Sequence, residues 1–86
     1  MKIKAYKRFK KCYEDLPKNI QKKVDKQIHL LAQDFRHPSL QTKKIKGSYG
    51  IWEGRIDLSY RMTFEITEDA IFLRTVGNHD AVLKKP

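Results

Sequence analysis

The order of the predicted elements indicates an α+β fold, in which two helices pack on one face of a mostly antiparallel sheet. Between residues 7 and 35, apolar residues recur every three or four positions, as they do in amphipathic helices. Between residues 51 and 76 they largely alternate with polar residues, as they do in strands with one buried face. A chain of 86 residues that is 40% apolar can bury one small core, so we expect a single domain over residues 1–86.

The first half of the chain predicts one short strand and two helices. Residues 3–6 alternate imperfectly and predict the strand. Residues 7–16 predict a short helix, which Pro17 ends, and Pro17 suits the first turn of the next helix. That longer helix has an apolar stripe wide enough to cover a sheet face: Ile20, Val24, Ile28, Leu31 and Phe35. Pro38 prevents its continuation.

Three runs in the second half predict the other strands. In residues 51–57 and 60–66, alternation sends one set of side chains to the core: Trp52, Gly54, Ile56, Tyr60, Met62, Phe64 and Ile66. The alternate set faces outward: Glu53, Arg55, Asp57, Arg61, Thr63 and Glu65. Residues 70–76 are mostly apolar on both faces, which is typical of a central strand. Residues 81–86 are too few for an independent element, so the outward face of the sheet should stay open.

The charge of the chain favours a polyanionic partner. Lysine and arginine outnumber aspartate and glutamate by 19 to 10, which gives a net charge of +9 and a pI near 9.8. Such a field attracts nucleic acid or an acidic protein. The densest basic cluster, Lys43, Lys44 and Lys46, lies next to the charged strand face. It either contacts RNA phosphates or protects an exposed sheet edge against aggregation, and both roles are compatible.

Several classes of protein are disfavoured by what the sequence lacks. No apolar run approaches 18 residues and no signal-peptide pattern is present, so we expect a cytoplasmic protein without membrane contact. The sequence contains no nucleotide-binding loop, no histidine and cysteine pair at metal-ligand spacing and no Ser/His/Asp arrangement. We therefore expect no cofactor and no bound metal.

Six short motifs occur in order along nearly the whole chain: Leu16-Pro17, Pro38-Ser39-Leu40, Lys44-Ile45-Lys46-Gly47, Trp52-Glu53-Gly54-Arg55-Ile56, Tyr60-Arg61-Met62-Thr63-Phe64 and Val76-Gly77-Asn78-His79-Asp80-Ala81-Val82. Their order and spacing resemble the RelE/ParE superfamily of toxins from type II toxin-antitoxin systems, and the RelE-like members in particular. The resemblance implies two antiparallel N-terminal helices packed on a twisted, mostly antiparallel sheet of about four strands.

The resemblance implies two different activities. RelE-like toxins are ribosome-dependent, metal-independent endoribonucleases that cleave messenger RNA by attack of the 2′-hydroxyl group, whereas ParE-like toxins inhibit DNA gyrase without catalysis. A non-catalytic RNA-binding relative is a third alternative. The implied partners are an acidic antitoxin and, for the RelE-like activity, the ribosome and messenger RNA, with ribosomal RNA contacts through Lys43, Lys44 and Lys46. The toxin alone is expected to be a monomer.

Four residues match the positions of the superfamily's catalytic residues: Glu53, Arg55, Arg61 and His79. RNA cleavage without a metal needs a base for the 2′-hydroxyl proton, cations for the phosphate charge and an acid for the leaving oxygen. The resemblance then implies that Glu53 is the base, that Arg61 binds the phosphate with Arg55 beside it, and that His79 is the acid.

Each of these residues also has a structural interpretation. Glu53 could be a surface glutamate that pairs with Arg55 or a strand neighbour, and this is as well supported as the catalytic role. Arg61 could form a salt bridge to Glu53 or Glu65. His79 and Asp80 could have no role other than to cap the last strand. Because adjacent residues on an extended chain point apart, Asp80 is not expected to orient the imidazole ring.

One position departs from the superfamily pattern. Many RelE-like toxins have a tyrosine a few residues beyond the histidine, available to stack on a base, and this chain has Leu83 there. Such stacking is worth about 1–3 kcal/mol per base. Tyr49 or Trp52 could replace it, but Trp52 lies on the core-facing side and we expect it to be buried. For Arg74 we expect a structural ion pair.

Overall fold

The computed structural model describes all 86 residues and contains three α-helices and one five-stranded sheet. In chain order the elements are β1 (Lys2–Ala5), α1 (Lys7–Glu14), α2 (Lys18–Gln33), a single 3₁₀ turn (Pro38–Leu40), β2 (Lys43–Lys44), β3 (Trp52–Arg55), β4 (Tyr60–Ile66), β5 (Ala70–Asn78) and α3 (His79–Lys84). The strand order is β1-β5-β4-β3-β2. Only β1 and β5 are parallel. The predicted α+β class is confirmed, with five strands instead of about four.

The two long helices begin and end close to where their patterns predict. Pro17 stands just before α2, and its carbonyl oxygen accepts the first hydrogen bonds of that helix. Along α2 the buried side chains keep helical spacing and end at Leu31. One of them is polar: the Gln27 amide donates to the backbone oxygen of Arg55 at 2.8 Å. That bond ties α2 to the end of β3. None of the helices is long and apolar enough to cross a membrane.

The apolar core lies between these helices and one face of the sheet. It includes Phe9 from α1, Val24 and Leu31 from α2, and side chains from the central strands β4 and β5. A bulge in β5 serves this core, because Thr63 pairs with Thr75 while the next residue, Phe64, pairs with Leu73. Arg74 is the extra residue. The bulge lets Leu73 and Val76, three positions apart, both enter the core.

The opposite face of the sheet is partly covered, which corrects the prediction that residues 81–86 form no element. Residues 81–84 belong to α3, whose start is capped by the Asn78 side chain, which accepts from the Asp80 amide at 3.1 Å. Val82 is buried against the sheet: a β-carbon added at Gly77 would lie 3.5 Å from the Val82 side chain. The sequence pattern missed α3 because a six-residue helix shows too few periods to be recognised.

The cover provided by the C-terminal residues changes the environment of two threonines. Thr63 was predicted to face outward, and it does so, but it is fully buried, as is nearly all of Thr75. Their hydroxyl groups lie 2.5 Å apart, and the Thr63 hydroxyl donates to the backbone oxygen of Pro86 at 2.9 Å. Arg74 also donates to Pro86 and forms the predicted ion pair, with Glu65. The open part of this face is therefore limited to the side of the sheet at β3 and β2.

Candidate functional site

A polar cavity of about 330 Å³ opens on the uncovered part of the sheet, and we call it the arginine cavity. Its lining residues are Gln41, Thr42, Lys43, Glu53, Arg55, Arg61 and His79. The structure thus brings the four candidate catalytic residues to one cavity, although they come from two strands and a helix. A second cavity of about 390 Å³, the lysine cavity, is lined by Lys43, Lys44, Ile45, Lys46, Glu53 and Leu83. The two cavities share Lys43 and Glu53.

Two arginines face each other in the arginine cavity. Arg55 on β3 is the direct partner of Arg61 on β4, and Arg61 in turn is opposite Gly77 on β5. Neither guanidinium group forms a salt bridge with a carboxylate. The Nε atom of Arg55 is buried and has no hydrogen-bond partner. Like charges directly opposite each other destabilise a sheet, so this pair is unfavourable until an anion binds between or beside the two groups.

Backbone oxygens hold the Arg61 side chain. Its Nη1 atom donates to the carbonyl oxygens of Asp57 at 2.6 Å, Leu58 at 3.3 Å and Tyr60 at 2.9 Å. The salt bridge to Glu53 or Glu65 considered from the sequence is absent. Carbonyl groups fix the guanidinium without neutralising its charge. Nη2 and Nε take no part in these bonds and can donate to a phosphate.

The Glu53 carboxylate is buried, with only 5% of the residue exposed. Its ion-pair partner is the Lys43 ammonium group at 3.3 Å, which comes from the edge strand β2 and is largely exposed. The register explains the pair, because Lys43 and Glu53 are direct partners across β2 and β3. Pairing with a strand neighbour was the structural interpretation of Glu53. The residue is not at the surface, however, and a buried carboxylate requires such a partner.

His79 stands at the first position of α3. Its backbone amide donates to the Ser59 carbonyl oxygen at 2.8 Å, and its Nδ1 atom lies 3.2 Å from the Asp80 carboxylate. The expectation that Asp80 points away is wrong, because helical backbone at this point replaces the extended backbone assumed from the sequence. Since an ionised carboxylate only accepts, Nδ1 is the donor in this contact, and Nε2 is left for a ligand.

Asp57 lies next to the cavity, and no functional role was predicted for it from the sequence. Asp57 was placed on the outward face with Glu53, but β3 ends at Arg55, and the Asp57 carboxylate contacts Lys23 of α2 at 3.1 Å. Burial raises the pKa of the Asp57 carboxyl, but the amide of Ser59, the Lys23 ammonium and the amide of Tyr60 together lower this pKa below its ordinary value. The signal in the sequence was Asp57-Leu58-Ser59, a composition typical of tight turns.

Two aromatic side chains are candidates for stacking on a base. Tyr49 is fully exposed, in a loop between two glycines with positive φ, Gly47 and Gly50. Trp52 is half-buried instead of buried as predicted: its ring packs edge to face on Phe35 at 5.8 Å. β3 has only the two-residue strand β2 outside it, so little structure is available to cover the indole. Leu83, at the position of the superfamily tyrosine, lines the lysine cavity.

Solved structures of toxins from toxin-antitoxin systems have this fold. YafQ from E. coli strain BL21(DE3) matches with a TM-score of 0.79 and 14% identity over 93% of this chain and 94% of that chain. The YoeB/ParE toxin from Agrobacterium tumefaciens matches with a TM-score of 0.78 and 16% identity over 92% and 99%. For a chain of the RelB-RelE antitoxin-toxin complex from Methanococcus jannaschii, the TM-score is 0.76 and the identity 25%, over 96% and 99%.

These similarities were found by comparing structures. No protein-family model matches the chain, and a search of curated proteins found no match. The chain has the fold of the RelE-like toxins. The resemblance to the RelE/ParE superfamily inferred from the six motifs is thereby confirmed.

Proposed function

We propose that this chain is the toxin of a toxin-antitoxin module and cleaves messenger RNA on the ribosome as a metal-independent endoribonuclease. The observation that carries the proposal is the pair Arg55 and Arg61, two guanidinium groups on adjacent strands that have no carboxylate partner. A phosphodiester supplies the negative charge that this pair lacks, and guanidinium groups bind it through paired hydrogen bonds. Glu53 and His79 line the same cavity and supply a base and an acid.

The proposed reaction is an attack by the ribose on its own phosphate. The Glu53 carboxylate takes the proton of the 2′-hydroxyl group, and the 2′-oxygen forms a bond to phosphorus. Arg55 and Arg61 donate to the non-bridging oxygens as their charge grows. The bond between phosphorus and the 5′-oxygen then breaks, and the protonated Nε2 of His79 gives its proton to that oxygen. The products are a 2′,3′-cyclic phosphate and a 5′-hydroxyl end.

Lys43 has a part in this reaction through its ion pair with Glu53. The ammonium group occupies the carboxylate, so it has to move away before Glu53 can accept the proton of the 2′-hydroxyl group. Lys43 is free to do so because most of its side chain is exposed, and an RNA phosphate in either cavity offers it another partner. RNA binding thus releases the base at the moment when it is needed.

The proposed partners follow from charge and from the structural relatives. RelB-RelE and DinJ-YafQ are toxin-antitoxin complexes. A net charge of +9 suits an acidic antitoxin that inhibits this chain, and Lys43, Lys44 and Lys46 are placed to contact messenger RNA or ribosomal RNA. Action on ribosomes places the protein in the cytoplasm.

The test compares His79→Ala and Arg61→Ala with the wild-type protein in growth arrest and in cleavage of messenger RNA on purified ribosomes. We expect the cleavage rate to fall by about 10²-fold or more for either variant, because each loses a group that acts on the transition state. Arg36→Ala is the matched control, since Arg36 is an exposed arginine outside the arginine cavity.

Folding of each variant is checked by circular dichroism. Full cleavage by both folded variants would show that the nuclease proposal is wrong. Growth arrest with intact messenger RNA, accompanied by loss of gyrase supercoiling, would assign the ParE-like activity instead. Binding to ribosomes with neither effect would assign the non-catalytic RNA-binding alternative.

A further inference from the structure

The turn from Asp57 to Tyr60, which we call the Asp57 turn, contacts two residues of the arginine cavity through its backbone oxygens. Three of its carbonyl groups accept hydrogen bonds from Nη1 of Arg61. The fourth, that of Ser59, accepts from the backbone amide of His79 at 2.8 Å. Every carbonyl oxygen of this turn therefore holds either the guanidinium of Arg61 or the start of α3.

The shape of this turn depends on the Asp57 carboxylate. Its Oδ1 atom accepts from the backbone amides of Ser59 and Tyr60, both at 2.9 Å, and its Oδ2 atom accepts from the Lys23 ammonium group at 3.1 Å. Packing contributes little at the tip, because Leu58 is 81% exposed. Without the carboxylate, the amides of Ser59 and Tyr60 lose their acceptor, and the carbonyl groups of Leu58 and Ser59, which belong to the same two peptide groups, lose this support. The Tyr60 carbonyl is still held by the amides of Ile56 and Asp57.

We propose that Asp57 is a positioning residue of the candidate site: its carboxylate fixes the turn whose carbonyl groups hold Arg61 and His79 in place. This inference rests on the proposed function, which assigns the phosphate to Arg61 and the leaving oxygen to His79. Asp57 does not line the arginine cavity, so we assign it no direct contact with the RNA. Its effect passes to two candidate catalytic residues on different elements through one turn.

The two oxygen atoms of the Asp57 carboxylate contribute differently to the turn. The Lys23 contact is an ion pair with a half-exposed lysine, and such pairs contribute little. The two amide bonds to Oδ1 shape the turn. Asparagine keeps an oxygen that can accept both of them, whereas alanine does not. The inference therefore predicts that Asp57→Asn retains the site and that Asp57→Ala loses it, with Lys23→Ala close to the wild type.

The experiment measures single-turnover cleavage on ribosomes and, separately, the NMR signals of the isolated proteins. We expect Asp57→Ala to cleave roughly 10- to 100-fold more slowly at saturating protein, because small displacements of catalytic groups are costly. Its apparent affinity for ribosomes should stay within about twofold of the wild type, since the surface charge changes by only one unit. The Nε–Hε signal of Arg61 and the ring signals of His79 should shift in Asp57→Ala and keep their wild-type positions in Asp57→Asn.

Unchanged Arg61 and His79 signals in a folded Asp57→Ala variant would overturn the inference, and so would wild-type cleavage by it. If Asp57→Ala does not fold, Asp57→Ser takes its place, because a hydroxyl group accepts these amide bonds more weakly than a carboxylate does. If the wild-type protein cleaves no messenger RNA, the proposed function fails, but the NMR comparison still decides whether Asp57 positions Arg61 and His79.

Discussion

At the scale of single residues, Arg55 illustrates a position suited to a ligand and not to the fold. It lies opposite another arginine, it has no carboxylate partner, and its buried Nε atom has no acceptor. Each of these features costs stability. Alternation along β3 predicts that Arg55 and Glu53 face the same side, but not that Arg55 meets Arg61. The partner of a strand residue depends on register, and register depends here on the Asp57 turn.

We expect Arg55→Met to be more stable than the wild type and less active. The substitution removes the repulsion between guanidinium groups and an unsatisfied buried donor, so the free energy of unfolding should rise by about 0.5–1 kcal/mol. Urea denaturation measures this change, and ribosome-dependent cleavage should be lost in the same preparation. A destabilised Arg55→Met would contradict the view that this arginine is retained for anion binding at the expense of the fold.

At the scale of elements, α3 decides where the candidate acid stands. The helix has only six residues, so its own hydrogen bonds cannot stabilise it in isolation. It is held by the Asn78 cap, by the buried side chain of Val82 against the sheet, and by the Ser59 carbonyl at His79. Two residues after its end, the Pro86 carbonyl accepts from Thr63 and Arg74. Because these attachments are mostly single hydrogen bonds, α3 is expected to open more readily than the central strands, and His79 moves with it.

We therefore predict that Val82→Ala impairs cleavage more than it impairs the fold. Truncation of this buried side chain should lower the free energy of docking α3 by about 1–2 kcal/mol. The amides of α3 should exchange with solvent faster by about tenfold, while those of β4 and β5 keep their protection. Native-state hydrogen exchange makes the comparison, with the exposed Lys84→Ala as the control. Equal loss of protection in β4 would show that α3 does not open independently.

At the scale of the whole molecule, the basic charge is spread over both the helices and the sheet edge, but the two cavities lie together at that edge. β2 is the last strand of the sheet, so Lys43 and Lys44 border an unpaired edge. Their charge discourages pairing with another chain and attracts phosphates as well. Net charge alone does not distinguish this region from the helices, whereas the cavities do.

The double variant Lys44→Gln with Lys46→Gln should weaken RNA binding and reduce its dependence on salt. Each lost phosphate contact on single-stranded RNA lowers the slope of log affinity against log salt concentration by about 0.7, so we expect a change of about 1.4. A 2′-O-methylated oligonucleotide, which cannot be cleaved, is the ligand in a fluorescence anisotropy titration. Lys18→Gln with Lys22→Gln removes the same charge from α2 and should leave the slope unchanged. Equal effects of both double variants would show that the RNA is not bound at the sheet edge.

Much of the fold and the membership of the candidate site could be predicted because both depend on short-range periodicity. The helical spacing from Ile20 to Leu31 predicts α2, and alternation places Glu53, Arg55 and Arg61 on one face. The roles of these residues in catalysis stay predictions. The parallel pairing of β1 with β5, the bulge at Arg74 and the helix that carries His79 could not be predicted in the same way, because each depends on contacts between distant segments.

Within a regular strand or helix, the sequence by itself determined which side chains share a face, since the direction of a side chain follows from the local backbone conformation. Only the tertiary structure decided how deeply each is buried and what it meets. Thr63 faces outward and is nonetheless covered, Glu53 is buried beside Lys43, and Arg61 is held by carbonyl groups instead of a carboxylate. The physical reason is that burial and pairing depend on what packs on a face, and the elements that do so come from elsewhere in the chain.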